Sequence, residues 1–200
     1  MVFVLALVFA GCAGSGVRNS SRTFRTVVID AGHGGHDYGT RSSRYMQEKD
    51  ACLDVALRLE KKVRQAGFRT VMTRKSDTFI ALDKRVAISN RYKNAIFVSV
   101  HFNEARPKPY ISGAEVYYHS PESVELAQRT LRHISALPGS KARYTKHARF
   151  RVLRLNKNPA ILIEGGYFSN RAEAGRFANP GYRDAFAEAI TRALVEQKKR

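Results

Sequence analysis

Four residues stand where chemistry is possible. His33 lies three residues past the β-branched run Thr26–Asp30, TVVID, and His101 follows the apolar run Ala95–Val100, AIFVSV. Glu164 ends the run Ala160–Glu164, AILIE, and Glu48 opens a helical pattern. Two imidazoles and one carboxylate make a three-ligand zinc site with an open fourth position, the arrangement of catalytic rather than structural zinc. The other carboxylate then has a role without being a ligand. It can take a proton from water attacking a carbonyl and pass it to a leaving nitrogen. Spacing alone does not say which of Glu48 and Glu164 is the ligand and which the base. A His at a strand end is ordinary, whereas a carboxylate ending a buried strand is not, because burial of an unpaired charge is costly. Glu164 is the more informative residue for that reason. The glycines around His33 need a separate account. Gly32-His33-Gly34-Gly35 follows a strand, but Asp37 occupies the third glycine position of a dinucleotide loop, and no phosphate loop is present. A sharp turn that carries His33 explains them better.

The elements that must position these residues alternate along the chain. Strand patterns cover Thr26–Asp30, Phe68–Thr73, Ala95–Val100, Gly113–His119 and Ala160–Glu164. Helical patterns cover Glu48–Ala66, stopped by Gly67, then Leu82–Tyr92, Pro121–Leu137 and Tyr182–Gln197. This alternation predicts an α/β fold in a single domain, with a largely parallel mixed sheet of about six strands and helices on both faces. In such a sheet ligands bind beyond the carboxyl ends of the strands, so His33, His101 and Glu164 should meet at one edge.

Composition narrows the partners. The 200 residues carry 35 Lys and Arg against 17 Asp and Glu, a net charge of +18. That excess points to an anionic partner: nucleic acid, an anionic membrane or an acidic wall polymer. No nucleic-acid-binding module is present, and none is expected to bind. Two cysteines, Cys12 and Cys52, exclude a disulfide scaffold and an all-cysteine zinc site. Met1–Ala10, MVFVLALVFA, is too short to span a bilayer and suits the apolar core of a secretory signal. It ends in Phe9-Ala10-Gly11-Cys12, which resembles a bacterial lipobox. The expected organisation is a lipoprotein-type signal over 1–12 with lipidation at Cys12, a flexible tether over 13–24 and a catalytic domain over 25–200.

Four blocks carry a resemblance over Val27 to Val195. VVIDAGHGGHDYGT, the Gln47-Glu48 pair, FVSVHFNE and ILIEGGYFSN occur in order, with TRKSDTFIALDKRVAISN between the second and third. The sequence resembles the zinc-dependent N-acetylmuramoyl-L-alanine amidases of the amidase-3 type. That likeness implies one zinc ion per chain, held by His33, Glu48 and His101, with Glu164 as general base and acid. It implies hydrolysis of the amide between N-acetylmuramic acid and the L-alanine of the peptidoglycan stem peptide, in wall turnover or daughter-cell separation. The expected place is the periplasmic side of a bacterial cell envelope, with the membrane reached through the lipid. A zinc peptidase acting within stem peptides, or a non-catalytic wall-binding lipoprotein, would share several of these features. The sequence identifies no protein activator. Only 62 residues separate His101 from Glu164, which leaves little room for an inhibitory helix, so the site should be constitutively open.

Departures from the family pattern are few. Tyr38 stands where Pro is common, Phe102 and Glu104 where Ala is common, and Gly165 where a larger apolar residue is common. Phe102 and Glu104 are expected to flank the metal and alter substrate preference. Asn103, His36 and Asp37 are candidates for touching substrate or bracing a ligand. Asp30 is a candidate for bonding the glycine turn. The basic run Lys141–Arg154 is either a solvated loop or a surface for an anionic glycan–peptide strand.

Overall fold

The computed structural model describes residues 20–40 and 45–198. The signal-like segment with Cys12, and most of the tether, lie outside them. Along the chain run α1 (Ser20–Thr23), β1 (Thr26–Ala31), α2 (Glu48–Gln65), β2 (Arg69–Met72), α3 (Leu82–Asn90), β3 (Ala95–Asn103) and β4 (Ala114–Tyr118). A 3-10 turn at Pro121–Ser123 leads into α4 (Val124–Ser135). Then follow β5 (Ala142–His147), α5 (Arg151–Arg154), β6 (Ala160–Tyr167), α6 (Arg171–Ala178) and α7 (Pro180–Lys198).

The strands form one sheet in the order β2-β1-β3-β6-β4-β5. β2, β1, β3 and β6 are mutually parallel, β4 runs antiparallel to β6, and β5 is parallel to β4. The mixed, largely parallel sheet of six strands is the one expected. Strand periodicity sorts the side chains between two faces. Ile29, Val98, Phe102, Val116 and Ile163 pack with Leu59, Leu126, Phe186 and Ile190 of α2, α4 and α7 in the larger core. Val28, Phe97 and Leu162 pack on the other face with Val86 of α3 and Val152 and Leu153 of α5. Helices thus cover both faces, α3 and α5 forming the smaller layer.

Some elements differ from expectation. Ser21 and Phe24 are fully buried, so packing begins inside the stretch assigned to the tether. Lys141–Arg154 is not a loop but contains the edge strand β5 and the helical turn α5. β3 and β6 also run past their apolar runs, to Asn103 and Tyr167, so His101 lies within its strand rather than just after it, and Glu164 lies inside its strand rather than at its end.

Candidate functional site

On the smaller face the strands turn polar toward their carboxyl ends. Alternation from Val28, Phe97 and Leu162 brings Asp30, Ser99, His101 and Glu164 to that face. In register, Asp30 is beside Ser99 and His101 is beside Glu164. The sheet therefore delivers two of the four chemistry-bearing residues as direct neighbours.

His33 arrives from the turn after β1, with a left-handed backbone at φ 57°. Two buried arginines hold this turn by its carbonyls. Arg74 donates to Ala31 O at 3.1 Å and Gly32 O at 2.7 Å, and Arg85 donates to Ala31 O at 2.5 Å and His33 O at 2.7 Å. Gly32 is required by close approach, since a Cβ there would stand 2.4 Å from His101 Cε1. Asp30 does not bond the glycine turn directly. It accepts from Thr73 Oγ1 at 2.7 Å, Ser99 Oγ at 2.7 Å and Arg85 Nη1 at 2.8 Å, so it anchors the arginine that holds the turn. Burial pushes the Asp30 carboxyl up, but the Arg85 charge and these hydrogen bonds outweigh it and hold the group below its ordinary value.

Glu48, the first residue of α2, completes the cluster. It is 3 % exposed. Its Oε2 accepts from Thr40 N at 2.7 Å and its Oε1 from Phe102 N at 2.9 Å. The same Oε1 lies 2.9 Å from His33 Nε2 and 3.3 Å from His101 Nδ1, while the two ring nitrogens are 3.1 Å apart. Burial alone would raise the Glu48 carboxyl, but hydrogen bonds and charge from His101 and His33 bring it down to about 2. The three side chains could hold a metal ion. Asp37 lies at 2.9 Å from His33 Nδ1 and also accepts from Gly39 N at 3.2 Å. That contact leaves His33 Nε2 free to face the cluster.

Glu164 borders the same depression, of about 330 Å³, with His33, Glu48, His101, Asn103 and Glu104. Its buried Oε2 has no hydrogen-bond partner among the described residues. Burial, together with the charges of Glu48 and Glu115, raises its carboxyl well above the ordinary range. A second cavity of about 300 Å³ opens beside His33 and His101, between Phe79, Leu82, Phe150 and Leu162.

The remaining candidates divide. Asn103 donates to Glu115 Oε2 at 3.2 Å and so braces the floor of the site. His36 is exposed and packs on the Phe79 ring, and it is not one of the three clustered residues. Phe102 does not flank the three-residue cluster with its side chain. It is 2 % exposed and stacks on Phe168 in the larger core, because its register places it on the opposite face from His101. Sequence reasoning missed Glu115, Arg74 and Arg85. Arg85 and Asp30 are 55 positions apart, and no local pattern marks such a pair.

Known proteins match this arrangement. The family model for N-acetylmuramoyl-L-alanine amidase matches residues 27–196. The chain is 32% identical over 169 residues to N-acetylmuramoyl-L-alanine amidase LytC of Bacillus subtilis, covering 82% of this chain and 34% of that protein. It is 32% identical to YqiI of the same organism, covering 95% of this chain and 91% of that one. It thus spans about a third of LytC but nearly all of YqiI. Among solved structures, N-acetylmuramoyl-L-alanine amidase AmiC2 of Nostoc punctiforme superposes with a TM-score of 0.84 at 38% identity, covering 88% of this chain and 97% of that one. The catalytic domain of CwlV, an N-acetylmuramoyl-L-alanine amidase from Bacillus (Paenibacillus) polymyxa, gives 0.82 at 32% identity, with 86% and 97% covered. With its sheet, its His–Glu–His cluster and a family match over most of its length, this chain belongs to the N-acetylmuramoyl-L-alanine amidase family.

Proposed function

We propose that the protein hydrolyses the amide between the lactyl group of N-acetylmuramic acid and the L-alanine of the stem peptide in peptidoglycan, with zinc. The observation that carries this reading is the convergence of three donor atoms beside a carboxylate with an unpartnered oxygen. Ligand atoms around a tetrahedral zinc stand about 3.3 Å apart. The separations of 2.9, 3.1 and 3.3 Å among Glu48 Oε1, His33 Nε2 and His101 Nδ1 fit that geometry. The donor set, two imidazoles and one carboxylate, is that of catalytic zinc.

His33, Glu48 and His101 would hold the ion. When bound, zinc supplies Lewis acidity, which polarises a carbonyl and makes water more acidic. The protein's own groups do the rest. Asp37 holds the His33 ring by Nδ1, which orients Nε2 and fixes the tautomer. The backbone amides of Thr40 and Phe102 pin both oxygens of Glu48. Glu164 Oε2 accepts the proton of the attacking water and returns it to the alanine nitrogen as the C–N bond breaks. Its raised proton affinity suits a group that must take a proton from water. The expected place of action is the cell envelope, with Cys12 as the lipid anchor. No helix among the described residues is long and apolar enough to cross a membrane.

The test is Glu164→Ala. Turnover of a muropeptide should fall by at least about a hundredfold, while bound zinc, counted by elemental analysis, stays near one per chain. Retained turnover would remove Glu164 from the reaction.

A further inference from the structure

We infer that the Arg143 guanidinium is a receptor for a carboxylate of the stem peptide, on the leaving-group side of the cleaved bond. The inference rests on the amidase reading above. It starts from a row across the sheet. His101 is beside Glu164, Glu164 is beside Glu115, and Glu115 is beside Tyr144, so the row runs from the cluster to the edge strand β5.

Glu115 is the hub of that row. It is fully buried, and donors from four strands reach it. Tyr117 Oη stands at 2.6 Å, Tyr167 Oη at 2.5 Å, Asn103 Nδ2 at 3.2 Å and Arg143 Nε at 2.7 Å. A buried carboxylate with this many donors fixes the groups around it more than it serves as a ligand site itself. Its consequence for Arg143 is specific. Nε is committed to Glu115, and the guanidinium lies 5.5 Å from the ring centres of both Tyr144 and Tyr167. The side chain nevertheless keeps 32% of its exposure. The planar cation is held in place before any ligand arrives, and little rotamer freedom remains to be lost on binding.

Position and charge name the ligand. β5 lies two strands from β6, so Arg143 sits about 10 Å from Glu164 across the sheet. An extended peptide covers that span in about three residues. On the glycan side the lactyl group is tied up as the amide, whereas the peptide side carries free carboxylates. A carboxylate on the second or third stem residue is the group within reach. Lys146 is exposed, shares this face through its pairing with Tyr117, and has no acidic partner among the described residues. It adds to the same preference. A guanidinium and a carboxylate form charge-assisted hydrogen bonds in a geometry that a carboxamide cannot reproduce.

The experiment compares two synthetic muropeptides. One has free carboxyls at the second and third stem residues, and the other carries carboxamides there. The unaltered protein should prefer the free acid in kcat/KM by about tenfold or more. In Arg143→Lys, which keeps a cation beside Glu115 and so protects the fold, most of that preference should disappear. Equal treatment of both substrates by the unaltered protein, or a preference that persists in Arg143→Lys, would overturn the inference. Binding of the two corresponding free stem peptides, measured by calorimetry, separates this from the amidase reading. Arg143-dependent binding of the free acid without hydrolysis would keep the receptor and sink the amidase. Hydrolysis without a carboxylate preference would do the reverse.

Discussion

Asp30 and Arg85 form a pair that is 1 % and 3 % exposed, and it carries the turn on which His33 sits. Removing one partner of such a pair strands the other charge in the interior, at a cost of about 3–5 kcal/mol. Arg85→Met should therefore lower the unfolding free energy by about that amount at neutral pH. The sign with pH follows from Asp30. Its carboxyl lies below the ordinary 3.8 in the folded protein, so its contribution is present above that value and is lost as pH falls through the folded one. Without Arg85 the carboxyl loses the charge that most opposes burial, so its proton affinity rises and its cost eases on acidification. Urea melts at pH 7 and pH 4 should show the deficit of Arg85→Met shrinking toward acid; a deficit independent of pH would contradict the pairing. Residue type and strand context make His33, Glu48, His101 and Glu164 legible in the sequence. Arg74, Arg85 and Glu115 are not, because their partners are backbone carbonyls and side chains from distant segments. Phe102 misleads for a related reason. It adjoins a cluster residue in sequence but sits on the other face of β3.

The elements that the sequence predicts well are the buried ones. β1, β3 and β6 announce themselves as apolar runs because both of their faces are covered. β5 gives no such signal, since ARYTKH at the sheet edge is polar and almost wholly exposed. α6 is missed as well, although Asn170 accepts from the amides of Ala172 and Glu173 as a helix cap should. Packing between β3 and β6 explains two departures from the family pattern together. A Cβ at Gly165 would stand 2.8 Å from Phe102 Cε1 and 2.8 Å from Phe186 Cζ. The large residue at 102 thus requires the absent side chain at 165. Gly165→Ala should destabilise by about 1–3 kcal/mol through overpacking. Phe102→Leu should relieve much of that loss when combined with it. Equal losses for Gly165→Ala in both backgrounds, measured in a double-mutant cycle by urea unfolding, would show that the two sites are independent.

At the scale of the whole molecule, the net charge of +18 predicts attraction to an anionic wall. Exposed charges are screened beyond about 8 Å at 0.15 M salt. Association with purified sacculi, measured by sedimentation with Glu164→Ala to prevent digestion, should fall steeply between low salt and 0.5 M, about the range where screening becomes short. Salt-independent association would assign the charge to some other role. The bond that is cut defines the enzyme, and identification of the products decides which bond that is. Purified sacculi are digested with the protein alone, with a chelator, and with chelator followed by excess zinc, and the released material is read by mass spectrometry. Free stem peptides beginning at L-alanine should appear, be absent with chelator and return with zinc. Fragments cut within the stem peptide would instead make the protein a zinc peptidase, and release that persists through chelation would contradict the metal-dependent amidase.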